Sequence, residues 1–407
     1  MEVSVLPLAK RLSQLGTESA FDVLVKAQAL EKAGQRIIHL EIGEPDFATP
    51  PHIVEAAIRA LHGGFTHYGP PAGLPVLREA IADHIYRTRN IPVRADQVVI
   101  TPGAKPIIFY TVLAVAQRGD EVVLPDPGFP IYASLVRFVG ATPVALPLRM
   151  RDRFAFRVED IERVITDRTR LIILNSPHNP CGSALSPHDL EQLAGFIRGK
   201  PIWVLSDEIY SRMTYDTSHT SIASFDSMAE QSIILDGFSK TYAMTGWRLG
   251  YGVFPESLVP HITRLIINSN SCTATFTQMA GLAALTGPQD CVMNMMAEFA
   301  ERRAVIVEGL RGIPGWECSI PQGAFYVFPR VASLGGTSGE LADFFLHEAG
   351  VALLSGTSFG VAGEGHLRLS YANDLSSLRE AVHRLAEATS RWIEQQKYMP
   401  SGLTQDI

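Results

Sequence analysis

The chain has 407 residues, of which 46% are hydrophobic and 19% are charged, and its formal net charge is −7 at pH 7. A chain of this length exceeds what one hydrophobic core usually serves, so we expect a large domain and a second, smaller one. The acidic balance without a basic face excludes nucleic acid as an expected partner. No apolar run approaches a membrane span and the start lacks a secretory leader, which predicts a cytoplasmic protein that does not bind membranes.

The cysteines and histidines show no pattern typical of a metal site. Cys181, Cys272, Cys291 and Cys318 are scattered without a CxxC pair, and the histidines form no HExxH motif. Free thiols in a reducing compartment and no bound metal are therefore the expectation.

Taken in chain order, the predicted elements alternate between helices and strands. An amphipathic first helix is predicted at residues 24–30. Short runs rich in valine, isoleucine and leucine, bounded by Pro, Gly, Asn or Asp, then predict strands at residues 98–100, 121–124, 171–174, 202–205, 233–235 and 249–254. Residues 187–197 predict an intervening helix. Such an alternation is typical of an α/β domain whose mostly parallel sheet lies between helices.

The last hundred residues predict a different kind of unit. A charged helix is expected at residues 299–310, with strands at 323–328 and 365–371. We therefore expect a smaller α+β domain built from residues 1–50 and 298–407, and a large domain at residues 51–297.

Polar residues follow each predicted central strand. The segments are Thr101-Pro102-Gly103-Ala104-Lys105, Asn175-Ser176-Pro177-His178-Asn179-Pro180, Ser206-Asp207-Glu208-Ile209-Tyr210 and Asp236-Gly237-Phe238-Ser239-Lys240. Because ligands of such sheets bind beyond the carboxyl ends of the strands, these segments predict one site built from several loops.

Two of these segments suggest specific chemistry. The turn around Gly103 leads into a helix that starts near Pro106, so its backbone N–H groups could bind an anion, although most such turns only cap a helix. Lys240 follows a strand, where burial would favour the neutral amine that imine formation requires. Arg248, eight residues on, offers a fixed charge suited to a phosphate. For an isolated lysine and arginine, a surface turn would be the simpler interpretation.

The wider sequence around Lys240 resembles the cofactor-lysine signature of class I aminotransferases. Six further motifs occur in the order found in that family. They are residues 42–47 (IGEPDF), 68–74 (YGPPAGL), 102–105 (PGAK), 175–182 (NSPHNPCG), 206–210 (SDEIY) and 367–371 (LRLSY). The chain is thus identified as a member of the fold-type I, pyridoxal-phosphate-dependent aminotransferases of the aspartate aminotransferase superfamily.

The resemblance implies pyridoxal 5′-phosphate as cofactor and assigns roles around its ring. Lys240 resembles the Schiff-base lysine that also shuttles the substrate's proton, and Asp207 resembles the aspartate that pairs with the pyridine nitrogen. Tyr210 and Asn179 resemble the donors to the ring's phenolic oxygen. Phe129 stands where the family places an aromatic ring over the cofactor.

The resemblance also implies a phosphate site, a substrate site and a dimer. The residues that resemble the phosphate cup are Gly103, Ala104, Lys105, Ser239 and Arg248. Arg368 matches the arginine that grips the substrate α-carboxylate, beside Asn179 and the backbone of Gly43. Tyr68 matches a tyrosine that reaches the phosphate of the neighbouring subunit, which implies a homodimer with shared active sites.

Three positions depart from the family pattern. Gly237 stands where many relatives have a phosphate-binding serine, so that contact would fall to Ser239. Cys181 replaces the usual threonine after Pro180, with little effect expected on the chemistry. Leu113 lies near a position where a related branch carries a lysine for the distal carboxylate of aspartate, which puts dicarboxylate recognition in doubt.

The expected activity is transfer of an amino group from an L-amino acid to a 2-oxo acid, with 2-oxoglutarate favoured as acceptor, by a ping-pong mechanism. A lyase, cyclase or oxidase on the same fold is the alternative. A cofactor-sensing regulator would need an N-terminal DNA-binding module, and the family match starts too early, near residue 30, to leave room for one. A nicotinamide dehydrogenase is disfavoured because no GxGxxG follows a strand. The donor is not fixed by the sequence, since its pocket is expected to include residues 268–275 and loops of two subunits.

Overall fold

A computed structural model describes residues 8–398. These residues divide into two compact units. The large unit comprises the described residues up to Thr17 together with Glu44–Ala297 and Gln322–Ala324. The small unit comprises Glu18–Gly43, Glu298–Pro321 and the described residues from Phe325 onward. Within residues 8–398, the helices are all too short or too polar to cross a membrane.

The secondary structure alternates as the sequence predicts. The strands are β1 (Ile38–His39), β2 (Val98–Thr101), β3 (Glu121–Asp126), β4 (Thr142–Pro147), β5 (Thr169–Asn175), β6 (Trp203–Asp207), β7 (Ser232–Gly237), β8 (Gly250–Val253), β9 (Tyr326–Val327), β10 (Val351–Ala352), β11 (Leu354–Ser355) and β12 (Leu367–Ser370). The α-helices are α1 (Ser19–Lys32), α2 (Pro51–His62), α3 (Pro75–Arg89), α4 (Lys105–Val115), α5 (Ile131–Phe138), α6 (Val158–Val164), α7 (Pro187–Ile197), α8 (Val259–Ser269), α9 (Thr275–Thr286), α10 (Asp290–Arg311), α11 (Ser338–Phe344) and α12 (Leu375–Tyr398).

The large unit is built on a seven-stranded mixed sheet. Its strand order is β2-β8-β7-β6-β5-β3-β4, and β8 runs antiparallel to the other six strands. All residues of β2, β7 and β8 are buried, which is why these strands read as continuous apolar runs rather than as alternating patterns. The predicted mostly parallel sheet is confirmed.

Local signals in the sequence set the helix boundaries. The hydroxyl of Ser186 accepts a hydrogen bond from the backbone of Asp189, whose carboxylate bonds back to the backbone of Ser186. This capping box, with Pro187 in the first turn, starts α7 at the predicted residue. The last residue of the helix, Ile197, is also as predicted.

The small unit is an α+β arrangement. β1 and β10 form a parallel pair, and β11, β12 and β9 form an antiparallel three-stranded sheet. Its core includes the stacked rings of Phe299 and Phe325, 5.4 Å apart, with Tyr371 edge-on to Phe299. Phe325 directly precedes β9 and Tyr371 directly follows β12, so the ring cluster packs where these two paired strands meet the rest of the small unit's core.

One predicted strand is shorter than expected. The sequence predicts a strand over residues 323–328, whereas β9 contains only Tyr326 and Val327. The backbone N–H groups of Gln322 and Gly323 donate to the carbonyl of Gly182 in the large unit, and Ala324 adopts a positive φ of 55°. These groups are therefore unavailable to the small unit's sheet.

Candidate active site

Three neighbouring parallel strands bring the predicted site residues of the large unit to one edge. Asn175 ends β5, Asp207 ends β6, and Lys240 follows the end of β7 by three residues. Asn175 lies opposite Asp207, so β5 and β6 end level, and Asp207 lies opposite Leu235, two residues before the end of β7. Tyr210, which is buried, follows Asp207 in the same loop. This edge is where ligands of α/β sheets bind.

Asp207 is a buried carboxylate with a directed hydrogen bond. Its Oδ2 accepts a bond of 2.5 Å from the hydroxyl of Tyr132, and its Oδ1 accepts one of 3.3 Å from the backbone of Ile209. Burial raises the pKa of Asp207 to about 7, although the bond from Tyr132 lowers it. A cation placed against this carboxylate would offset the cost of burying its charge.

Tyr132 is a residue that the sequence analysis missed. It lies in the first turn of α5, three residues after Phe129, and the two rings pack edge to face with centroids 5.6 Å apart. Burial, together with the carboxylate of Asp207, raises the pKa of Tyr132 well above its usual range, so the hydroxyl stays a donor. The spacing of three residues from Phe129 at the start of a helix is the signal that could have identified it.

Asn175 is the second missed residue, and it positions Asn179. Its side-chain amide donates to the backbone carbonyl of Asp207 at 3.1 Å and accepts from the backbone N–H of Asn179 at 2.9 Å. Among the described residues, no group bonds to the buried Oδ1 of Asn179. An unsatisfied buried amide oxygen is costly, and a bound ligand with a donor would satisfy it.

The turn at Gly103 and the guanidinium of Arg248 meet where α4 begins. Gly103 has a φ of +85°, and a Cβ there would overlap the guanidinium of Arg248. Gly250, which likewise has no room for a side chain, brings the backbone of β8 against Gly103 and Ala104. The N-terminus of α4 and the charge of Arg248 therefore lie together, an arrangement that suits an anion.

Other predicted residues lie at the same sheet edge or at the surface. The Nζ of Lys105 lies 5.6 Å from the centroid of the Phe129 ring, and Ser239 is buried directly after β7. Tyr68 is 90% exposed, so its hydroxyl is accessible to another molecule.

The departure at Gly237 has a packing reason. A Cβ at this position would lie 3.1 Å from the Cα of Gly250 and 3.2 Å from the Cδ1 of Ile209. A serine would therefore crowd the neighbouring strand, whereas glycine lets β7 and β8 approach closely.

A buried ion cluster connects the ends of β6 and β7. The guanidinium of Arg89, at the end of α3, bonds to Glu208 at 2.6 Å, to Ser211 at 2.9 Å and to Asp236. The three charged side chains are at most 4% exposed. Losing one member would leave an uncompensated buried charge, so the cluster holds the segments that carry Asp207 and Lys240.

In the small unit, Arg368 is buried rather than at the surface. It is 4% exposed, its Nη2 donates to the backbone carbonyl of Glu41, and its guanidinium carbon lies 4.7 Å from the ring centroid of Tyr326 and 5.2 Å from that of Phe359. Gly43 lies against the hydroxyl of the same Tyr326, where a Cβ would not fit. The structure thus groups Arg368 with Gly43, and two aromatic rings fix the plane of the guanidinium.

Comparison with known proteins identifies this arrangement. The sequence profile of the family described as aminotransferase class I and II matches residues 35–385. The chain belongs to this family. Class I and II aminotransferases use pyridoxal phosphate, and the mixed central sheet is that of fold-type I. The predicted family, fold, cofactor and enzyme class are confirmed.

Relatives of this aminotransferase bear names with different substrates. It is 39% identical to the probable aspartate/prephenate aminotransferase of Aquifex aeolicus, covering 94% of this chain and 98% of that protein. It is 38% identical to aromatic-amino-acid aminotransferase 2 of Thermococcus litoralis, covering 93% and 97%. The structure of aspartate aminotransferase from Thermus thermophilus with maleate superposes with a TM-score of 0.91 at 34% identity, covering 94% and 100%.

Proposed function

We propose that this aminotransferase moves the amino group of an L-amino acid to 2-oxoglutarate by a ping-pong mechanism, with Lys240 holding the cofactor and moving the proton. The observation that supports the proposal is that β6 and β7 are parallel neighbours: β6 ends at the buried, hydrogen-bonded carboxylate of Asp207, and Lys240 follows the end of β7 by three residues. The cofactor needs a lysine that forms the Schiff base and an acid that pairs with its ring nitrogen, and these two residues follow adjacent strands.

The residues of the large unit fit the cofactor. When bound, pyridoxal phosphate supplies an electron sink for the electrons of the substrate's Cα–H bond. Asp207 would hold its ring nitrogen, and the side chains of Tyr210 and Asn179 would bond to its phenolic oxygen. The Nδ2 of Asn179 would be the donor, while its buried Oδ1, which has no partner among the described residues, would accept from a separate donor of the bound ligand.

The phosphate and ring-face contacts follow from the same geometry. The cup consists of Gly103, Ala104, Lys105, Ser239 and Arg248. The glycine turn and the guanidinium lie together there, which supports an anion at the start of α4. Phe129 would cover one face of the ring with apolar contact.

Lys240 is proposed to move the reacting proton. Its Nζ takes the proton from the substrate Cα as a general base and returns it as a general acid. For this, the amine must be directed at the substrate Cα, and the position of Lys240 in the partly buried loop that follows β7 supports this requirement. The residue therefore serves as anchor and as catalyst.

Arg368 is proposed to bind the substrate α-carboxylate together with Gly43 of the same unit, and Asn179 is proposed as a further substrate-binding residue. Two rings and a backbone carbonyl hold the guanidinium in a fixed plane, which suits a carboxylate that binds with both oxygens. The same arginine would bind the amino acid and the oxo acid, because both carry this group.

Assembly and location are also part of the proposal. The exposed position of Tyr68 supports a homodimer in which this tyrosine reaches the partner's phosphate site. We further propose that the enzyme is cytoplasmic, with small-molecule substrates and neither nucleic acid nor membrane as partner. Because the relatives' names include aspartate and aromatic amino acids, and because Leu113 is apolar, both donor classes need to be tested.

The test is a half-reaction followed by a donor screen. Each standard amino acid is mixed with stoichiometric enzyme loaded with cofactor, without an acceptor, and the cofactor and products are quantified. A transaminase converts the cofactor fully to pyridoxamine phosphate with one equivalent of oxo acid, and 2-oxoglutarate then restores it. Turnover of an amino acid without this conversion would favour a lyase, cyclase or oxidase instead.

A further inference from the structure

The segment that holds Arg368 carries an ion pair with no assigned role. Glu41 is fully buried, and its Oε1 lies 2.7 Å from the Nδ1 of His39. The Nε2 of the same imidazole lies 3.2 Å from Glu31 on α1. Because residues two apart in an extended chain project to the same side, His39 and Glu41 meet directly.

The pair requires a charged histidine. A buried carboxylate is costly unless a cation balances it, and the side chain of His39 is 31% exposed, so it can exchange protons with solvent. The hydrogen bond to Glu41 raises the pKa of His39 to about 9 despite partial burial, with Glu31 adding to the effect. The groups that face the ring are Glu41 from its own segment and Glu31 from α1.

Glu41 in turn determines where the arginine points. Backbone bonds on both sides fix the preceding residue, since Leu40 donates to Ala352 and accepts from Ser370. Glu41 lies one residue further along, where the chain leaves the sheet towards Gly43. Its side chain is tied to His39, and its carbonyl accepts the bond from Arg368.

We propose that His39 and Glu41 are positioning residues for the carboxylate clamp: their ion pair fixes the carbonyl that orients Arg368 and the start of the segment that carries Gly43. The inference rests on the proposed role of Arg368 in binding the α-carboxylate. Neither residue touches substrate or cofactor in this mechanism. Their loss therefore weakens substrate binding and leaves cofactor chemistry unchanged.

The experiment compares His39→Gln and Glu41→Gln with wild-type holoenzyme. A lost hydrogen bond to a charged group is worth about a factor of ten in affinity, so the KM for the donor and for 2-oxoglutarate should each rise about ten-fold, with kcat within about two-fold. An α-methyl amino acid, which lacks the proton to be removed, gives an independent dissociation constant through the cofactor's absorbance. That constant should rise by the same factor.

Two comparisons isolate the positioning role. His383→Gln makes the same chemical change in the small unit at a side chain that is 67% exposed, and it should leave KM and the dissociation constant unchanged. In wild type, the KM for 2-oxoglutarate should rise as the pH increases through about 9, where His39 loses its charge. This rise should be absent in His39→Gln, whose KM is already high.

Each outcome decides the inference. If Arg368→Lys raises KM but His39→Gln and Glu41→Gln lower only the melting temperature, the pair is merely structural and the proposal is wrong. If Arg368→Lys also leaves KM unchanged, the carboxylate clamp itself fails and the inference falls with it. If the KM for 2-oxoglutarate depends on pH in the same way in wild type and in His39→Gln, the charge of the imidazole has no role in orienting Arg368.

Discussion

Replacing Tyr132 by phenylalanine should uncouple Asp207 from the hydroxyl that stabilises its charge. The bond is 2.5 Å long and fully buried, and hydrogen bonds to charged groups are worth about 1.5–3 kcal/mol. At 1.36 kcal/mol per pKa unit, its loss should move the pKa of Asp207 from about 7 to about 8–9. With cofactor bound, turnover should fall about ten-fold or more, since the carboxylate is less firmly held.

The sign of the pH dependence follows from linkage. The pKa of Asp207 is raised from 3.8 in the unfolded chain to about 7, so its contribution to stability is fully present below pH 3.8 and is lost as the pH rises through 7. In cofactor-free Tyr132→Phe, where the pKa of Asp207 is higher, the free energy of unfolding should continue to fall up to pH 9. The variant's destabilisation should therefore be about 1.5–3 kcal/mol larger at pH 9 than at pH 6, where the carboxyl is mostly protonated.

Urea unfolding of the cofactor-free protein at pH 6, 7.5 and 9 measures this difference. Tyr242→Phe is the matched control, because that buried hydroxyl donates at 3.2 Å to the neutral side-chain oxygen of Gln289. Its destabilisation should not change over this pH range. Equal destabilisation by Tyr132→Phe at pH 6 and 9 would refute the claim that the hydroxyl supports an ionised carboxylate.

Three further substitutions test the proposed site. Lys240→Ala should abolish both turnover and the covalent bond that borohydride fixes between cofactor and protein; mass spectrometry showing a retained bond would reject the assignment. Arg368→Lys should raise the KM for both substrates about ten- to hundred-fold without changing the cofactor's absorbance, because lysine lacks the planar fork, and an unchanged KM would contradict the clamp. Gly103→Ala should weaken cofactor affinity at least about ten-fold, measured by equilibrium dialysis, because the added Cβ forces Arg248 aside. The control is Gly119→Ala, which also has a positive φ of +98° but open space around it, and which should leave the affinity unchanged.

The sequence predicted the elements that local chemistry controls. Continuous apolar runs identified the six buried strands predicted for the large unit, and the capping residues located α7 to the residue. Polar residues after the predicted strands indicated that the segments with Asp207 and Lys240 follow strands of one sheet, and β6 and β7 are parallel neighbours in that sheet. The resemblance to a family then supplied roles that spacing alone could not.

What the sequence could not predict depends on contacts between distant segments. Arg89 and Asp236 are 147 residues apart, yet they bond in the buried cluster behind the strand ends. Tyr132 bonds to a carboxylate 75 residues further along the chain. Arg89 carries no local pattern that marks it as buried, and the spacing of Tyr132 from Phe129 does not show which carboxylate its hydroxyl bonds, because packing of distant segments determines both partners.

The groups that support Asp207 differ in kind from those that support Arg368, so the two proposed contacts can be tested by different measurements. Around Asp207, the supporting groups are strand ends and a tyrosine hydroxyl that act on the charge of one carboxylate, so their loss should appear in kcat and in the pH dependence of stability. Around Arg368, the supporting groups are two aromatic faces and one backbone carbonyl that act on orientation, so their loss should appear in KM. A variant of Tyr326 that keeps the ring, Tyr326→Phe, should preserve KM, whereas Tyr326→Leu should raise it, because the guanidinium then loses one of the two faces that fix its plane.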